Sequence, residues 1–357
     1  MALVWVDGFE GYGSTNNSAP SPSGILDDKY QNTTNESQYR KFNAGDVRTD
    51  WSLRLAPAAY YQRTQTQDVI SGDTTIAGLG FYPYQVGGYT DVADWPLLCF
   101  KNSSDEMNVE LIYLNGSFFV NGPNSTYLGG TRVNIEAQEY HFVEMKVYHH
   151  ATNGTVDVRV NNCPVLSLSS VNTINTGGAT DRVGIGDAGH TLGHAQYSRI
   201  DDFYVCDGSG SKNNDFLGDL TIRTLWPDGD NTTQFATTGN GSKSTHYEQV
   251  NMEETLRSTD YVEDGTSGNR DKFTFEDTSD GFDTIHGIML WAQANYVTSA
   301  TNYRLLVDSN GTEDESANIA ASASFTYDGN VWEDDPDTST AWTSSTINAL
   351  IAGFEVQ

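Results

Sequence analysis

Few stretches of the 357 residues combine the residue types and spacings from which chemistry is built. Gly184-Ile185-Gly186-Asp187-Ala188-Gly189 has the glycine spacing of a dinucleotide-binding turn and follows a strand-like segment. Such a turn needs a helix immediately after it, because the helix N-terminus holds the pyrophosphate. Here the chain continues His190-Thr191-Leu192-Gly193-His194, with another glycine and no helical apolar spacing. No cofactor is expected. His190 and His194 are four apart, as in a helical zinc site, but Gly189 and Gly193 argue against a helix and no Glu lies between them to act as base. They read as a solvated loop, and the other histidines, His149-His150 among them, as surface or hydrogen-bonded residues.

Carboxylates are plentiful, so glycoside cleavage has to be tested. Concanavalin-type glucanases carry Glu-x-Asp-x-x-Glu on one strand, which puts acid and nucleophile on the same face about 5 Å apart. That string is absent, and Asp201-Asp202 within Arg199-Ile200-Asp201-Asp202-Phe203-Tyr204 comes nearest. Adjacent residues on a regular strand point to opposite faces, so this pair predicts no acid–base couple. Neither a Gly-x-Ser-x-Gly elbow nor a phosphate loop ending Gly-Lys-Ser/Thr occurs. No catalytic, cofactor-binding or metal-ligating residue is therefore assigned, and the chain reads as a non-enzyme. Calcium is the one ligand left open, because Asp228-Gly229-Asp230-Asn231, Asp308-Ser309-Asn310 and Asp277-Thr278-Ser279-Asp280 offer hard oxygen donors. The same residues are turn formers, which is the expected role.

The net charge of −29 arises from 48 acidic and 19 basic residues. It repels phosphate backbones, which argues against a nucleic-acid partner and for a solubilising surface. Cys99, Cys163 and Cys206 lack zinc-site spacing and are expected as buried free thiols. The opening Met1 to Asp7 has no basic segment and no long apolar stretch, and no window approaches a membrane span, so a soluble, cytosolically folded protein is expected.

These groups have to be positioned by β-structure. Gly, Asn, Thr, Ser and Tyr dominate, and 34 glycines with 9 prolines fit many turns. Asn115-Gly116, Asn153-Gly154 and Asn310-Gly311 sit beside apolar alternating segments and predict hairpins. Val156, Val158 and Val160 should face a core, with Asp157 and Arg159 turned away. Further strands are expected over Gly78 to Tyr84, Leu97 to Lys101, Val165 to Leu168, Arg182 to Gly186 and Ile200 to Cys206. Asp207 to Asn214 has no apolar side chain and places a domain boundary near residue 210. The all-β reading is a jelly-roll sandwich over residues 1–210, concanavalin- or laminin-G-like, followed by a smaller antiparallel β-sandwich over 211–357. Leu220-Thr221-Ile222-Arg223-Thr224-Leu225 alternates and is expected to open the second sandwich. One short helix is predicted, capped by Thr343 or Ser344, carrying Ile347, Leu350 and Ile351 and ending at Gly353.

Two stretches resemble virion proteins of tailed phages, of the minor-tail, tail-fibre or decoration type. Val6-Asp7-Gly8-Phe9-Glu10-Gly11-Tyr12-Gly13 resembles their opening strand. Ile200 to Val205, followed by Gly208-Ser209-Gly210 and Asn213 to Asp219, is similar to the join between their laminin-G-like jelly roll and a C-terminal domain. Thr259-Asp260-Tyr261-Val262 and the ending from Asp335-Pro336 through Ala341-Trp342-Thr343 to Gly353-Phe354 continue the likeness, with Trp342 filling the second core. The resemblance implies a non-enzymatic structural component on the tail or capsid surface of a virion, assembled in the host cytoplasm. It would work through interfaces with other virion proteins, in several copies or as a homo-oligomer, without membrane insertion. The alternative it implies is a host-glycan-binding module of a tail fibre. A depolymerase comes third, for want of a strand with paired carboxylates.

Overall fold

The computed structural model describes residues 2–10, 29–34, 40–42, 52–55, 63–66, 70–84, 95–114, 116–133, 135–136, 138–186, 197–238, 243–251, 260–278, 281–282, 284–296 and 301–357. The chain is all-β and divides into two compact units, Met1–Arg223 and Thr224–Gln357. Residues 211–223 thus belong to the first unit.

Two antiparallel sheets build the first unit. The eight-stranded sheet runs Cys163–Val171, Gly154–Val160, His141–Tyr148, Thr74–Tyr84, Tyr197–Cys206, Ser52–Leu55 and Arg40–Phe42, with Leu3–Asp7 also paired to Tyr197–Cys206. The seven-stranded sheet runs Thr126–Arg132, Ser117–Gly122, Met107–Leu114, Trp95–Lys101, Arg182–Gly186, Arg63–Gln65 and Gln31–Thr34. Strands distant in sequence lie side by side, as in a jelly roll.

Alternation decides which side chains enter the core. Val156, Val158 and Val160 are buried and the residues between them half-exposed, as expected. Ala77, Leu79, Val143, Met145 and Val147 join them from the neighbouring strands. Leu98, Phe100, Leu111, Phe118, Val120, Val183 and Ile185 line the opposing sheet. The two layers meet at Phe81 and Tyr113, whose ring centroids are 5.4 Å apart and edge-on.

The second unit has a six-stranded sheet: Pro227–Thr233, Arg270–Phe275, Ile351–Val356, Asn302–Ser309 and Thr312–Glu315, with Ile319–Ala320 added to Asn302–Ser309. A ribbon of Ile288–Ala294 and Thr326–Trp332 packs with it around Tyr303, Leu305, Val307, Trp332, Trp342, Ile347 and Ala352. Trp342 is in this core as expected, and its indole Nε1 donates to the Trp332 carbonyl at 3.0 Å. The short C-terminal helix is Ser344–Asn348, and its N-cap Thr343 accepts the Thr346 amide at 3.2 Å. A second short helix, His246–Val250, begins where Glu248 reaches back to Thr245 Oγ1 at 2.7 Å.

Three local expectations change. Leu220 to Leu225 forms no strand, and the second unit's first strand starts at Pro227. Its alternation is cancelled because the Ile222 amide is bound by a side chain, Asp202 Oδ1, at 2.6 Å. Cys163 is exposed rather than buried, because it starts an edge strand, while Cys99 and Cys206 are buried free thiols. The Asn115-Gly116 hairpin is formed, with Leu114 opposite Ser117, although Asn115 itself lies outside the described residues.

Candidate functional site

The chemistry gathers on the outward face of the eight-stranded sheet in the first unit. Along His141–Tyr148, Val143, Met145 and Val147 point into the core, so Phe142, Glu144 and Lys146 point out. Glu144 lies opposite Gly78, and Tyr204 lies opposite Gly78 from the other side. The missing side chain at Gly78 is what lets them meet. A Cβ there would lie 2.4 Å from Tyr204 Cε1 and 3.0 Å from Glu144 Cγ. Tyr204 Oη donates to Glu144 Oε1 at 2.5 Å, and its ring stacks on Phe142 with centroids 6.2 Å apart and planes 9° apart.

A second carboxylate joins them through a bulge. Asp202 takes a left-handed φ of 51° where the register between Tyr197–Cys206 and Thr74–Tyr84 shifts. The strict alternation that would separate Asp201 from its neighbour breaks there. Tyr140 Oη donates to Asp202 Oδ2 at 3.0 Å, and the Asp202 amide donates to Asp201 Oδ1 at 2.9 Å.

Residues 215–222 cross this face as a strap. Its amides donate to the sheet's side chains: Leu217 to Tyr204 Oη at 3.2 Å, Gly218 to Glu144 Oε1 at 2.9 Å, Asp219 to Asn162 Oδ1 at 2.9 Å and Ile222 to Asp202 Oδ1. At one end, Asp215 pairs with Lys146 at 3.0 Å and Phe216 lies 4.1 Å from the Arg159 guanidinium. Glu144 and Asp202 are fully buried.

Burial sets the electrostatics. Loss of water pushes the Glu144 carboxyl above the usual carboxylate range, outweighing the hydrogen bonds from Tyr204 and Gly218 and the nearby Arg159 charge. Burial, followed by the charge of Glu144, raises the Tyr204 phenol well above the ordinary tyrosine range, so it stays a neutral donor. Glu144 Oε2 is buried with no hydrogen-bond partner among the described residues. A carboxyl with a raised pKa and one oxygen unengaged keeps its proton to higher pH than an ordinary glutamate, which is what a proton donor requires.

The motifs singled out in the sequence fall elsewhere. Arg182–Gly186 is a strand, while 187–196, with Gly189, His190 and His194, lie outside the described residues. His149 is buried, hydrogen-bonded to Thr75 Oγ1 at 2.9 Å and to the Thr173 carbonyl at 3.3 Å, and burial lowers its pKa to about 4. Two of the three possible calcium loops are engaged in turns and pairs. Asp228 accepts from Thr274, Asp230 from the His246 and Tyr247 amides, and Asp308 from Lys272 and the Gly311 amide. Ser279 and Asp280 lie outside the described residues. Among the described residues no three metal-ligating side chains come together, and no helix is long and apolar enough to cross a membrane. Asp7 of the opening motif is a buried anchor, taking Tyr30 Oη at 2.6 Å and Lys29 Nζ at 2.9 Å.

Glu144 and Tyr204 carry no motif. Their one signal is an acidic residue at an outward position of a strand whose alternate residues Val143, Met145 and Val147 are apolar, beside glycine-bearing Thr74–Tyr84.

No protein-family model and no curated protein matches the chain. Among solved structures it is similar to an endo-β-1,4-glucuronan lyase from the fungus Trichoderma reesei, with 11% identity and a TM-score of 0.38 over 55% of this chain and 93% of that one. It is similar to an alginate lyase from Chlorella virus, with 9% identity and a TM-score of 0.36 over 47% and 89%. A carbohydrate esterase from the Shiga toxin-encoding bacteriophage phi24B aligns with 12% identity and a TM-score of 0.36 over 57% and 99%. The similar structures are mostly polysaccharide-degrading enzymes. This corrects the expectation of a non-enzymatic structural component of a tailed-phage virion, and the tail-fibre receptor alternative falls with it. The sequence was searched for carboxylates paired along one strand, whereas Glu144 and Asp202 come to one face from two strands and a bulge.

Proposed function

We propose that the first unit acts on carbohydrate polymers, taking a saccharide chain across the outward face of its eight-stranded sheet. One observation carries this: Glu144, buried, its pKa raised by loss of water and its Oε1 held by Tyr204, has an Oε2 with no hydrogen-bond partner among the described residues, on the face that also bears Asp202. Cleavage of a glycosidic bond needs a proton for the departing oxygen and a second carboxylate. Glu144 gives its Oε2 proton to that oxygen as the C–O bond breaks. Asp202 takes a proton from the water that adds to the sugar carbon. Tyr204 is a positioning residue, fixing the Glu144 carboxyl through Oε1.

The strap lies over this face, so the test uses a chain in which it is loosened. Asp215→Lys with Phe216→Ala sets two like charges against each other at Lys146 and removes the ring over Arg159. The loosened chain should release reducing ends from a soluble polysaccharide. Adding Glu144→Gln or Asp202→Asn should lower that rate by about 100-fold or more. Release that survives Glu144→Gln, or no release from any neutral or acidic polysaccharide, overturns the proposal.

A further inference from the structure

We infer that the strap is an intramolecular occupant of the saccharide face, and that the pattern it satisfies selects a neutral, hydroxyl-bearing polymer over a polyuronate. This rests on the carbohydrate reading above and adds the ligand class.

The strap is held as a ligand is held. Among residues 208–223 none is buried, and residues 215–222 pair with no strand. Beside the Asp215–Lys146 pair and the Phe216 ring on Arg159, a row of side-chain acceptors reaches their backbone donors: Tyr204 Oη, Glu144 Oε1, Asn162 Oδ1 and Asp202 Oδ1. A segment that forms no ladder bonds and is tied down by side-chain acceptors can open without breaking a strand of the sheet. Beneath it lies a fully buried carboxyl with an oxygen that the strap does not use. The strap therefore fills the face without satisfying all of it.

The chemistry of the row names what replaces the strap. All four groups accept from the strap, so an incoming ligand has to donate at those points. Sugar hydroxyls do so. A uronate carboxylate only accepts, and it brings negative charge toward Glu144 and Asp202 on a chain whose net charge is −29. The strap's own carboxylate, Asp215, meets its cation at the rim, on Lys146, a half-exposed partner that contributes little in water. Arg159, whose guanidinium lies over the Phe216 ring, is at that same end of the strap. A polyuronate carries a carboxylate on every sugar and needs a row of cations to match it, which this row of acceptors is not.

The experiment separates opening, binding and cleavage. Amide hydrogen exchange is followed at Leu217, Gly218, Asp219 and Ile222 in the full chain and in Asp215→Lys/Phe216→Ala, with Leu217→Pro as a second variant that removes one strap donor outright. Exchange at the remaining strap amides should rise by about tenfold or more while strand amides such as Val158 stay protected. The opened chain is then run in affinity gels containing a soluble neutral β-glucan or alginate. Retardation by the glucan alone, stronger than for the parent chain, is the result expected. Retardation by alginate overturns the ligand class, and opened amides with no retardation in either gel overturn the inference. Strap amides that stay protected in both variants also overturn it, because the strap is then a fixed part of the fold. Retardation by the glucan without cleavage leaves this inference standing and removes the acid role proposed for Glu144.

Discussion

The outward faces of the two main sheets carry similar residue types in opposite settings. In the first unit, Glu144 and Asp202 are buried beneath the strap, and loss of water raises the Glu144 pKa. In the second unit, the six-stranded sheet turns Arg270, Lys272 and Arg304 outward against Glu313, Glu315, Glu355 and Asp308. Lys272 lies 3.1 Å from both Asp308 and Glu313, and those hydrogen bonds hold its pKa above the ordinary lysine value although partial burial pulls it down. Arg270 bonds both Glu313 and Glu355, and Arg304 bonds Glu315. Charges that keep water and opposite partners stay charged and make a ladder. A carboxyl stripped of water has its pKa raised even beside Arg159.

The comparison breaks first at Gly78, where the largest effect is expected. Gly78→Val puts two methyl groups where Tyr204, Glu144 and Phe142 already crowd the backbone. The sheet cannot keep both the stacked rings and the Glu144 bond, so about 3 kcal/mol of first-unit stability should be lost. Urea unfolding followed by exchange at Val158 measures this. A loss below about 1 kcal/mol would mean that the cluster does not depend on the glycine.

Next is Tyr204→Phe, which keeps the ring on Phe142 but removes the hydroxyl. Glu144 Oε1 loses one donor and the Leu217 amide loses its acceptor, so about 1.5 kcal/mol should go, with strap amides exchanging faster. An unchanged strap would show that the other three acceptors hold it alone.

The acid character of Glu144 gives a pH test with a definite sign. Its folded pKa is raised, so the folded chain binds the proton more tightly than the unfolded chain. The stability this contributes is full below the ordinary glutamate pKa and is lost as pH rises through the folded value. Glu144→Gln cannot titrate. The parent chain should therefore lose stability relative to Glu144→Gln as pH rises above about 4.5, and the two should run parallel below it. A difference that opens on acidification instead would show a carboxylate stabilised in its charged form.

The sequence revealed regular elements better than the site, for physical reasons. Turn chemistry is local: Asn310 and Gly311 have φ of 52° and 86°, as an Asn-Gly hairpin requires. The valines of Gly154–Val160 and the Thr343 cap depend on neighbours a few residues away, and both are as expected. The site is not local. Glu144 and Tyr204 are sixty residues apart and meet only across Gly78. Asp202 faces them because a bulge overrides alternation. Leu220 to Leu225 looks like a strand, but side chains of the sheet bind the backbone donors of this region before another strand does.

The smallest effect is expected on the ladder, and it sharpens the contrast most. Glu313 accepts from both Arg270 and Lys272 and is partly exposed, so Glu313→Gln removes one charge from a network that retains Glu315, Glu355 and Asp308. Pairs in such a setting contribute about 0.5 kcal/mol, and salt screens them within a distance of about 10 Å at 0.1 M. The second unit's stability should fall by about that much at low salt and by less at high salt. Tyr204→Phe should keep its full effect at both, because the bond it removes is buried away from ions. If salt relieved both substitutions equally, the strap would not be excluding solvent and burial would not raise the Glu144 pKa.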